Sequence, residues 1–137
     1  MRSIRRKNVL ETIAKKNSLT SIKIKNELSA QQKALEEVQE LIQRINDLQE
    51  QAKNQNLSSP TSLRASQWYA LKLSEQFSIL KNRIDFIETE IGNIRDRARN
   101  NSIKRNKISD LIQEAKNIIS KEKDSAEEKK LTFVKLH

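Results

Sequence analysis

Apolar side chains recur along the second half of this chain in alternating steps of four and three. They are Leu73, Phe77, Leu80, Ile84, Ile87, Ile91, Ile94 and Ala98, and the same phase resumes at Ile108, Ile112, Ala115 and Ile119. A repeat of about 3.5 residues is the a/d rhythm of a coiled coil, in which a narrow stripe of one helix faces another helix. The first half carries its own stripe at Leu28, Leu35, Val38, Ile42 and Ile45, broadened by Leu41 and Leu48. Between the two stripes lies Asn54–Ser62, which contains the sole proline, Pro60. Asn and Ser satisfy loose backbone groups, and proline suits the first turn of a new helix, so this stretch predicts a turn.

The pattern predicts an all-α chain of two long helices folded into an antiparallel coiled-coil hairpin, one domain over 1–137. Helix one is expected over about 3–53, the turn over 54–62, helix two over about 62–128, and a C-terminal tail over 129–137. Toward the N-terminus the stripe is less regular. Leu10, Ile13, Ala14, Ile22 and Ile24 continue it, but Asn17-Ser18 interrupts it. Short polar side chains compete for backbone hydrogen bonds, so a kink or frayed turn is expected there. Antiparallel pairing about Ser58 sets residue i opposite roughly 116 minus i, which leaves helix two without a partner beyond about Lys116. Asn101 and Arg105 fall on seam positions, where polar residues weaken a coiled coil but fix its register or mark where it opens. Gly92 lies inside helix two and costs about 1 kcal/mol relative to Ala. It reflects either simple tolerance or close approach by a partner.

Composition narrows the chemistry. The chain has 137 residues, 33% of them charged, with one Gly and no Cys. Thiol chemistry and glycine-rich phosphate loops are therefore excluded. The only His is His137, and no oxygen-rich loop is present to hold a hard cation. Asp85 with Glu88, and Glu36 with Glu40, share helix faces, but basic neighbours at similar spacing make them solvated ion pairs. No enzyme, cofactor or metal site is expected. No apolar run approaches the ~20 residues needed to span a bilayer, and no apolar core follows the basic start, so neither stable membrane insertion nor a secretory signal is expected.

Charge changes the picture further. The net charge is +9, and it is unevenly placed. Residues 1–25 hold eight basic side chains against Glu11 alone, residues 26–50 are acidic, and residues 95–107 are basic again. In an antiparallel hairpin the two basic runs converge, giving a positive stem that suits an anionic partner. Trp68 and Tyr69, the only Trp and Tyr, follow the turn and serve either as a plug for the closed end or as an exposed anchor. Leu71, Ile79 and Phe86 lie off the a/d line, an apolar ridge that suggests a protein partner.

A basic helical hairpin of this length, with a Ser/Pro turn and then Trp68-Tyr69-Ala70-Leu71-Lys72-Leu73 opening a bulky second helix, resembles the FliJ family. These are stalk proteins of the bacterial flagellar type III export apparatus, with counterparts in virulence secretion systems. The likeness is strongest over Ser59 to Ile91. It implies a non-enzymatic, cytoplasmic protein at the inner membrane that couples a hexameric export ATPase to the membrane export gate. Carried onto this chain, Arg5, Arg6, Lys15, Lys16, Arg97 and Arg99 would face the ATPase ring. Trp68, Leu71, Leu73, Phe77, Leu80 and Ile84 would meet the cytoplasmic domain of the gate protein. Export chaperones are further partners that the resemblance admits. The residues themselves leave a second reading open, a basic coiled coil that binds nucleic acid or assembles as a structural oligomer. A third is an amphipathic membrane-surface helix formed by residues 2–25.

Overall fold

In the computed structural model the chain forms two long helices, α1 over Arg2–Lys53 and α2 over Pro60–Leu136. The structure describes residues 2–54 and 59–136, and no strand occurs among them. The middle of the expected turn, residues 55–58, lies outside the described residues. Its flanks follow from the residue types. At the end of α1 the Asn54 N–H donates to the Gln51 carbonyl at 3.2 Å, a tightened turn that satisfies a terminal acceptor. Ser59 caps α2: its Oγ accepts the Ser62 N–H at 3.1 Å and its carbonyl accepts the Leu63 N–H at 3.0 Å. Pro60 then takes the first helical position, where a missing N–H costs nothing.

α2 begins at Pro60, close to its expected start, but it continues past 128 to Leu136, through what the pattern marked as a tail. The stretch Lys121–Lys130 has lost its apolar rhythm, but Lys, Glu and Ala are good helix formers that propagate a helix without a buried face. The expected interruption at Asn17-Ser18 is also absent. α1 runs through both residues, and the described backbone has no positive-φ residue.

The chain divides into two compact units, Met1–Lys25 with Asp96–His137, and Asn26–Arg95. In the second unit both helices feed one core. Val38, Ile45, Leu73, Leu80, Ile87 and Ile91 form a buried cluster, with Leu28, Ala34, Leu35, Ile42, Phe77 and Ile84 packed against it. The buried positions keep the alternating four–three spacing, while Leu41 and Leu48, expected to broaden the stripe, are exposed. Gly92 sits on α2 with open space where a Cβ would stand, so no neighbour within this chain requires a glycine there.

The first unit has a different seam. Ser3, Lys7, Leu10, Ala14, Asn17, Ser21 and Ile24 form an unbroken heptad series of sheltered positions on α1, with Glu11 and Ser18 partly sheltered beside it, while Ile13 and Ile22 are exposed. The phase of the repeat, not the hydrophobicity of individual residues, decides which side chains turn inward. Leu10, Ile24 and Ala115 are this unit's buried hydrophobic residues, and buried Asn101 joins them. At the far end of the series the Ser3 hydroxyl donates to Glu122 Oε1 at 2.9 Å. α2 therefore has an α1 neighbour as far as Glu122, beyond the expected limit near Lys116. Residues 123–134 are exposed throughout.

Candidate protein-binding surfaces

The first unit concentrates the charge. Residues 1–25 contribute eight basic side chains and one acidic, and residues 96–137 contribute eleven and seven, so this unit carries +11 of a chain total of +9. The second unit is left with −2. Arg5, Arg6, Lys15, Lys16, Arg97 and Arg99, the six basic residues expected to meet an acidic partner, all belong to the first unit and are all exposed. Arg99 lies 3.8 Å from Asp96 one turn away, and Lys7 lies 3.8 Å from Glu11. Pairs in such solvated positions are weak, so they leave the surface available to another anion.

Polar groups also occupy the seam of this unit. The Asn101 side-chain amide donates to the Asn17 carbonyl at 3.3 Å, and the Arg105 guanidinium donates to Ser21 Oγ at 3.2 Å. Asn101 and Arg105 thus contact residues of α1 at the seam positions their spacing marked. Every described buried side-chain nitrogen or oxygen has a hydrogen-bond partner. A seam with satisfied polar groups and few buried apolar ones holds less tightly than the Ile- and Leu-filled core of the second unit.

The second unit presents apolar surface instead. Of the six residues expected to form one exposed patch, only Trp68 and Leu71 are exposed, at 62% and 56%. Leu73 and Leu80 are buried in the cluster, and Phe77 and Ile84 pack against it. The expectation of a single six-residue patch is therefore corrected: the 3.5-residue repeat claims those four for the seam. Two residues take their place at the surface, Ile79 at 57% and Phe86 at 65% exposure. Ile79 lies about three helical turns beyond Trp68, and Phe86 about two more, so the three share a face of α2. Leu71 borders that face. The signal was legible, since both residues break the a/d phase.

Trp68 stands mostly exposed on α2. The Lys72 ammonium stands 5.7 Å from its ring centroid and 3.4 Å from Glu75 Oε2, while much of the indole stays open. Tyr69 is 39% exposed. Aromatic and aliphatic side chains left at a surface in this way are the usual anchors of protein interfaces.

Among the described residues no group of His, Cys, Asp or Glu side chains is placed to hold a metal ion, and no helix is long and apolar enough to cross a membrane. Comparison with known protein families, characterised proteins and solved structures gave no match to this chain.

Proposed function

We propose that this chain is an antiparallel coiled-coil hairpin that acts as a non-enzymatic stalk in a bacterial type III protein export apparatus. In this reading the first unit enters a hexameric export ATPase, and the second contacts the cytoplasmic domain of the membrane export gate. The protein would then work in the cytoplasm, at the inner membrane.

The hairpin reading is supported by two sets of contacts. Ser3 meets Glu122 while Asn17 meets Asn101, so partner numbers fall along α2 as they rise along α1. In the other unit a single core draws on both helices. The observation that carries the stalk reading is the segregation of surface character. One unit has +11 of charge over a polar seam, and the other is close to neutral with an apolar ridge over a well-filled core. A protein binding only a polyanion has no use for the ridge. A purely structural coiled coil has no use for the charge. A coupling element needs both, because it must hold two chemically different partners at once.

The gate contact is assigned to Trp68 and Leu71, joined by Ile79 and Phe86 in place of the four residues that the core claims, Leu73 and Leu80 buried in it and Phe77 and Ile84 packed against it. The ring contact keeps Arg5, Arg6, Lys15, Lys16, Arg97 and Arg99. Reversing Arg5, Arg6, Lys15 and Lys16 to Glu, all outside the seam, should leave helix content intact while abolishing stimulation of the cognate ATPase. Unchanged stimulation together with lost DNA binding would instead support the nucleic-acid reading.

A further inference from the structure

The face of α1 turned away from the seam in the first unit mixes two kinds of side chain. Arg5, Val9, Thr12, Lys16, Leu19 and Lys23 follow one another in steps of four and three, on the side of the helix opposite Leu10, Asn17 and Ile24. Val9 is 53% exposed and Leu19 is 68% exposed, and Ile4 and Ile22 flank them at 51% and 57%. A surface depression lined by Arg2, Ile4, Arg5, Asn8, Val9 and Thr12 opens at the start of this face. Glu11 is the one acidic residue in 1–25, and Lys7 at 3.8 Å counters it.

We propose that this face of α1 docks on the surface of an anionic phospholipid bilayer, its cations at the headgroup phosphates and its apolar side chains at the acyl boundary. Cations alone suit any polyanion, but a nucleic-acid backbone would leave Ile4, Val9, Leu19 and Ile22 unrewarded. A headgroup layer satisfies both classes at once, because it offers negative charge above and hydrocarbon a few ångströms below. None of these apolar side chains is needed for the seam, which is complete without them. The inference goes beyond the stalk reading and does not rest on it. The ring and the bilayer would use overlapping cations, so one occupant at a time is expected.

The test is flotation of the full chain with vesicles of phosphatidylcholine alone and of phosphatidylcholine mixed with phosphatidylglycerol. Binding is expected only to the mixed vesicles. Substituting Val9→Ser together with Leu19→Ser should weaken it about tenfold with helix content unchanged, since both sites are exposed and the loss is of apolar transfer alone. Arg5→Glu with Lys16→Glu should abolish it. Absence of binding to the mixed vesicles would overturn the proposal. So would binding that the Val9 and Leu19 substitutions leave unaltered, or that duplex DNA displaces equally from the parent chain and from that variant, because either result would mean charge attraction without apolar insertion.

Discussion

The side chain of Asn101 reaches the main-chain carbonyl of Asn17 across 3.3 Å, joining α2 to α1 within the first unit. Asn101 is also buried, at 8% exposure. A polar residue in a seam position can be satisfied only where the facing helix offers an acceptor at the right height, so it penalises slipped pairings more than the correct one. The Asn17 carbonyl stands in an unbroken stretch of helix, so removing the amide would not orphan it.

Replacing Asn101→Leu should therefore raise the thermal midpoint, by about 1 kcal/mol of added stability at this site. The same change should cost specificity. Light scattering is expected to show a mixture of oligomers where the parent chain gives one species. A lowered midpoint would mean that the hydrogen bond contributes more than the apolar contact that replaces it.

The division of α2 into an inner and an outer row gives a paired expectation. Ile87 is 4% exposed within the second unit's core, and Ile87→Ala should cost about 2–4 kcal/mol in urea unfolding. Trp68→Ala and Leu71→Ala, at exposed sites, should each change stability by no more than about 0.5 kcal/mol. Their effect should fall on affinity for the gate's cytoplasmic domain. A large stability loss at Trp68 with unchanged affinity would return that residue to a structural role.

Gly92 offers a test with the opposite sign. A Cβ added there meets nothing within 4 Å, and the residue is helical. Gly92→Ala should stabilise the chain by about 0.5–1 kcal/mol, read as a shift in the denaturation midpoint at constant slope. Loss of partner binding without loss of stability would instead show that a partner closes on this position.

Much of the fold was legible in the sequence because two long helices that share a narrow buried stripe write it as a simple period. The run from Leu73 to Ile94 marked the inner row of α2, and Ser59-Pro60 marked its start. Three features escaped the pattern, each for a physical reason. Asn17-Ser18 reads as an interruption of the stripe, yet Asn17 sits in phase, and phase outranks polarity where Asn101 faces it, as Arg105 faces Ser21 one turn on. The last residues of α2 stay helical on intrinsic propensity, which leaves no periodic signal. The gate patch that the family likeness implies includes Leu73, Phe77, Leu80 and Ile84, which share the seam's period and turn inward, whereas Leu71, Ile79 and Phe86, marked as a ridge by their break from that period, stand at the surface. Charge segregation was readable from residue counts. Which cations face outward required the helix phase in the structure.

If the proposed stalk couples one chain to a ring of six, native mass spectrometry of the chain mixed with the cognate export ATPase, with ATP turnover followed in the same samples, will reveal it. The expected result is a complex of one chain with six ATPase subunits and turnover that rises with its formation. Both should be lost when Arg5, Arg6, Lys15 and Lys16 are reversed to Glu. A folded chain that forms no complex with the ring, or that raises turnover equally well after those reversals, would contradict it.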